Sequence, residues 1–150
     1  MSALTNQTED DLLDLLFTNV DAPNWGDAAG LQNSAAAGSL YVGAHYGDVL
    51  ADTTTAQNTN EMDYTGYSRQ AVARSVAGWT VASGTVDNDA LIQFGQMTAG
   101  TNRTITDVGI GYESGSPGYL HLWGQVTADL AVSTGVNPQI AAGALDISIN

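Results

Sequence analysis

The 150-residue sequence carries 16 acidic side chains against three basic ones (Arg69, Arg74 and Arg103), with no lysine, no cysteine and a formal net charge of -13. Binding to nucleic acid depends on Lys and Arg neutralising phosphates, so that class is excluded, and the absence of Cys removes disulfide frameworks, thiolate metal sites and Cys nucleophiles together. The length suits one domain, which buries roughly two thirds of the surface its unfolded chain exposes. Thirteen of the acids are Asp, many beside Gly, Asn or Thr, where turn chemistry explains them. The rest of the negative charge keeps a chain soluble, suits high salt or matches a basic partner surface. No basic-then-apolar leader opens the sequence and no apolar run approaches about 18 residues, so neither export nor a membrane partner is expected.

In chain order, residues 5–20 predict the one helix. Thr8 is placed to cap it, Glu9, Asp10 and Asp11 suit the positive end of its dipole, and Leu12, Leu13, Leu15, Leu16, Phe17 and Val20 form an apolar stripe. That stripe is expected to pack on its own domain, with docking on a neighbouring subunit as the alternative; Leu12 and Leu16 are the interface candidates. Residues 21–38 form a long Ala-, Gly- and Asn-rich loop in which Trp25 is either a plug over the core or an interface anchor. Residues 39–46 alternate as the first strand. Residues 47–63 are polar and low in complexity, and predict a surface loop.

Strands then follow at short intervals: residues 67–76, 79–83, 91–94, 104–112, 119–126, 130–133 and 144–149. The pair 91–94 and 104–112, separated by a Gly- and Asn-containing turn, predicts a hairpin. About eight strands without intervening helices predict a mainly β fold, an antiparallel β-sandwich or jelly roll with one N-terminal amphipathic helix. On this reading residues 1–38 (helix and long loop) pack on the same domain as a β-sandwich of residues 39–150.

Little in the sequence points to bond-making chemistry. His45 and His121 sit on predicted strands without metal-binding spacing, and surface or core-edge imidazoles are the commoner reading. Asp87 and Asp89, flanking Asn88, are weak calcium candidates, because an Asp-Asn-Asp triplet between strands is first of all a turn; no cofactor is otherwise expected. No Gly-x-Ser-x-Gly elbow or catalytic His context is present, so no catalytic residue and no enzyme activity are assigned. Arginine is the scarcer signal. Arg69 and Arg74 are expected on opposite faces of one strand, one of them paired with a carboxylate in the chain or across a subunit contact, and Arg103 sits at the turn before a strand. All three join Trp25 as interface candidates.

The helix, then Leu40-Tyr-Val-Gly-Ala-His-Tyr-Gly-Asp48, Tyr67-Ser-Arg-Gln-Ala-Val72, Ile92-Gln-Phe-Gly-Gln-Met-Thr98, Thr104-Ile-Thr-Asp-Val-Gly-Ile110 and Gly143-Ala-Leu-Asp-Ile-Ser-Ile149, resemble small virion structural proteins of tailed phages and related viruses, of the tail-fibre-like and head-decoration kind. The resemblance covers nearly the whole chain, apart from residues 52–63 and the lack of Lys. It implies a self-associating β-sandwich, made in the host cytoplasm, that attaches to the major capsid or tail protein. Its contact elements would be residues 1–7, the Trp25 loop and the helix. The alternative is a carbohydrate-binding β-sandwich using Trp25, Trp79, Tyr119 and Trp123 to stack on sugars.

Overall fold

A computed structural model describes residues 4–149; of the expected contact segment 1–7, residues 1–3 lie outside them. The fold is mainly β, with antiparallel sheets and an N-terminal helix, as the alternation predicts. Helix α1 (Asn6–Leu13) runs into a π-helical turn (Asp14–Thr18) and is followed by β1 (Ser39–Tyr46), β2 (Gln70–Ala73), β3 (Trp79–Ala82), β4 (Thr85–Asn88), β5 (Ile92–Gln93), β6 (Arg103–Gly111), β7 (Leu120–Val132), β8 (Gln139–Ile140) and β9 (Ile147–Ser148). The strands form sheets ordered β2-β1-β6-β7, β3-β4-β9 and β5-β8. The chain divides into two compact units, the first from residues up to 39, 73–92 and from 140 on, the second from residues 40–72 and 93–139.

The first unit is built round the helix. Its cap is Thr5 rather than the expected Thr8: Thr5 is extended, and its side chain accepts the Thr8 backbone N–H. The regular helix also ends earlier than the apolar stripe predicts. Thr18 Oγ1 donates to the Asp14 carbonyl at 2.9 Å and to the Asp14 carboxylate, and Asn19 stops the turn in the left-handed conformation. Leu13 and Phe17 are buried while Leu16 and Val20 stay exposed. Phe17 meets Trp79 edge-on with ring centroids 4.9 Å apart, and Ala22 and Val86 belong to the same apolar core.

The hairpin of this unit joins β3 to β4 through Ser83 and Gly84, both at positive φ, which is the two-residue turn whose twist matches its strands. Gly84 has a second reason to lack a side chain. Its N–H donates to Asp10 at 2.6 Å, and a Cβ there would lie 2.2 Å from the Glu9 carboxylate. Residues 87–89 therefore do not make the expected turn: Asp87 and Asn88 end β4, opposite Thr80 and Trp79.

In the second unit β6 is central and buried along most of its length, between β1 and β7. That need for two partners overturns the expected hairpin of residues 91–94 with 104–112. The former contributes only β5, which pairs with β8, and the intervening residues instead run beside Thr65, which bridges Ala99. Residues 119–126 and 130–133 merge into one strand, β7, whose register against β6 slips between Leu130 and Gln125 and again between Leu122 and Leu120.

Candidate interaction site

The second unit is organised around one cation. Arg69, 7% exposed, donates from Nε and Nη2 to the two oxygens of Glu61, both at 2.7 Å. Its remaining N–H groups reach Gln57 Oε1 at 3.2 Å and the carbonyls of Glu113, Gly115 and Pro117 at 3.0, 2.7 and 3.1 Å. A guanidinium has five donors in a rigid fork and no acceptor, so this set satisfies it inside its own chain. Arg69 thereby ties residues 57–61 to the loop between β6 and β7. Gln57 is fully buried and donates to the Tyr41 carbonyl at 2.7 Å, and Leu50 and Met62 are buried too. The polar stretch 47–63 is at the surface along most of its length, as its composition predicts, and is anchored by Leu50, Gln57 and Met62, which turn inward.

Next to this pair, Tyr67 donates to Glu61 at 2.9 Å and accepts the Ala44 N–H at 2.9 Å. Burial, reinforced by the Glu61 charge, raises the pKa of its phenol and keeps it protonated. His45 is fully buried, and because a carbonyl can only accept, its Nδ1 carries the proton donated to Thr59 at 2.9 Å. Nε2 is left without a hydrogen-bond partner, as is Oδ1 of the buried Asp107 across the β1–β6 register. Burial lowers the His45 pKa; the Thr59 hydrogen bond and the Glu61 and Asp107 charges oppose that only in part. Gly109 is what makes room for this ring: a Cβ there would lie 2.6 Å from Nε2 and 2.8 Å from Leu120.

Above the hub, the chain between β6 and β7 carries an exposed aromatic cluster. Tyr112 and Tyr119, 52% and 49% exposed, both lie against His121, with ring centroids 5.3 and 5.2 Å from the imidazole and planes tilted by 45° and 58°. Between the tyrosines run Glu113, Ser114, Gly115, Ser116, Pro117 and Gly118, held from beneath by Arg69. Elsewhere in the unit Arg103 sits 3.8 Å over the Tyr46 ring and 3.1 Å from Asp63.

Most of the other expected residues lie in the first unit. Arg74, at the end of β2, caps the π-helical turn: Nε donates to the Leu16 carbonyl at 2.7 Å and Nη2 to that of Leu15 at 2.6 Å. Arg69 and Arg74 therefore do not share a strand as opposite faces; β2 spans only the four residues between them. Leu12 and Trp25 are half-buried and Leu16 is exposed. Asp89 accepts from Thr80 at 2.6 Å, and among the described residues no three His, Asp or Glu side chains converge as metal ligands. His45 on β1 and His121 on β7 are separated by β6. Of the aromatic residues that would form a sugar platform, Trp79 is in the core and Trp123 is 37% exposed. Gln57, Glu61 and Tyr67 were not singled out by sequence reasoning, although Glu61, one of three glutamates, was the available signal.

The chain matches the family of the podophage GP4 fiber I protein gp80 over residues 3–148. It belongs to that family of phage fibre proteins. The place of a phage fibre protein is the virion. No curated protein matches the chain.

Proposed function

We propose that the chain is a non-enzymatic accessory protein of the virion, attached to the capsid or the tail, which stabilises the particle through contacts with its neighbours and with further copies of itself. The observation that carries this reading is the fibre-family match across nearly the whole chain. The second unit supports it: its buried polar groups are engaged in fixing a loop that carries exposed aromatic rings, the arrangement expected of a contact surface. No cofactor is required. Binding free energy from many copies adds to the stability of the assembly, so individually weak contacts suffice.

The test is compositional and then functional. Mass spectrometry of purified virions is expected to find the chain at a fixed copy number, and the purified protein is expected to bind expanded heads or tails. Its absence from virions, or failure to bind either structure, overturns the reading.

A further inference from the structure

We infer that the polar layer on the β1–β6 pair binds internal water, which donates hydrogen bonds to His45 Nε2 and Asp107 Oδ1 and completes the seat of residues 57–61 on the sheet. The register assembles the site. His45 lies directly across from Asp107, and Gly43 directly across from Gly109. Opposed residues of an antiparallel pair share a face, as do residues two apart along a strand, so all four positions look onto the same side of the sheet. The glycines leave that side bare and the imidazole lies over it: a Cβ at Gly109 would be 2.6 Å from Nε2. A Cβ at Gly43 would meet three polar atoms at once, His45 Nε2 at 3.2 Å, Glu61 Oε1 at 3.3 Å and Tyr67 Oη at 3.4 Å.

The chemistry of the two bare atoms selects the occupant. His45 and Asp107 are both fully buried, and neither Nε2 nor Oδ1 has a partner in the protein. With the Nδ1 proton donated to the Thr59 carbonyl, Nε2 can only accept, and so can a carboxylate oxygen; the two atoms cannot satisfy one another. The donors of the layer are already engaged. Arg69 directs its five N–H groups to Glu61, Gln57 and three carbonyls. Tyr67 gives its hydroxyl proton to Glu61, and Thr106 gives its own to the other Asp107 oxygen. The missing donors must therefore come from outside the chain, and ordered water is what ordinarily satisfies buried polar groups. One water molecule brings two donors. A metal ion would need further ligands, and among the described residues no third His, Asp or Glu side chain converges on these two. By fixing the ring through Nε2, the water keeps Nδ1 aimed at Thr59, in the segment that carries Gln57 and Glu61 to Arg69.

The probe is water itself. Oxygen-17 relaxation dispersion of the solvent counts long-lived internal water molecules and is blind to exchanging protons. The folded full chain is expected to show such water, and His45→Phe, which keeps a ring but removes the acceptor, should lower the count by at least one. No long-lived water in the parent, or an equal count in the variant, overturns the inference. Where His45→Phe fails to fold, Gly43→Ala, which sets a methyl group beside the same atoms, is read in its place. A high-resolution crystal structure of the parent needs no variant: a water oxygen is expected within about 3.2 Å of Nε2, joined to Oδ1 directly or through one more water. Empty density at Nε2, a direct contact between Nε2 and Oδ1, or a metal ion at about 2.0–2.2 Å would each overturn it. Water in this layer is independent of what the chain docks on, so neither outcome bears on its place in the virion.

Discussion

The two units have mixed cores but use their cations in different ways. The first packs Leu13, Phe17, Ala22, Trp79 and Val86 with the buried Asp11, Thr18 and Asn88, and uses its cation, Arg74, at the end of a helical turn. The second buries Arg69, Gln57, His45 and Asp107 among a larger apolar set that includes Phe94 and Ile105, with Glu61 and Tyr67 half-buried, and the position of its loop depends on the partners matched to Arg69. An apolar core tolerates an approximate fit, whereas a buried ion pair is stabilising only while both partners are present. The fixed loop, and the exposed rings that flank it, belong to the unit with the buried ion pair. Apolar packing gives no direction to a loop; five donors on one guanidinium do.

The largest expected effect sharpens that contrast. Arg69→Met leaves the Glu61 carboxylate buried and unpaired and should cost about 3–5 kcal/mol. Hydrogen exchange should then rise in residues 55–61 and 113–118; protection unchanged in both segments would break the account of the hub. Phe17→Ala removes the edge-on contact with Trp79 and should cost a comparable ~3–5 kcal/mol, read as a fall in Tm and a change in tryptophan fluorescence. Here the loss is a cavity, so Phe17→Leu should recover most of it, whereas Arg69→Lys should recover little because an ammonium cannot span the same acceptors.

Smaller effects follow. Tyr67→Phe strips the Ala44 N–H of its acceptor and Glu61 of a donor, which should cost about 1–3 kcal/mol by denaturant titration. His45 supplies a pH dependence. Its folded-state pKa lies below the unfolded value of about 6.5, so its neutral form contributes fully above that pH. That contribution declines as the pH falls below about 6.5 and stops declining below the folded-state pKa. His45→Gln should therefore show a shallower loss of Tm between pH 7 and 5 than the parent, and equal slopes would remove His45 from the argument. Arg103→Gln, at a half-exposed contact with Tyr46 and an exposed Asp63, should cost only about 1 kcal/mol.

The parts of this fold written in local periodicity were legible before the structure. The strand at residues 39–46 is β1, and the helix begins at Asn6, within the predicted residues 5–20. Strand partners were not legible, because pairing is decided by which strand is buried on both faces. Thr104 to Ile110 looked like half of a hairpin and is instead the centre of a sheet. Ser83 and Gly84 carry a local hairpin signal, a Ser-Gly pair between two short runs. The hub was the least visible. Gln57 and Glu61 sit in a polar, repetitive segment whose composition argues for solvent, and only the arrival of Arg69 from eight residues beyond Glu61 makes burial favourable.

The scarcity of basic residues also shapes how the folded chain meets a protease. A trypsin-like enzyme needs an arginine or lysine side chain extended into its specificity pocket, and within this chain only three residues qualify. Each is already occupied: Arg69 with Glu61, Arg74 with the Leu15 and Leu16 carbonyls, Arg103 with Tyr46 and Asp63. Cleavage at any of the three must wait for a local opening, so the three cutting rates report separately on the ion-pair hub, the end of the helix and the start of β6.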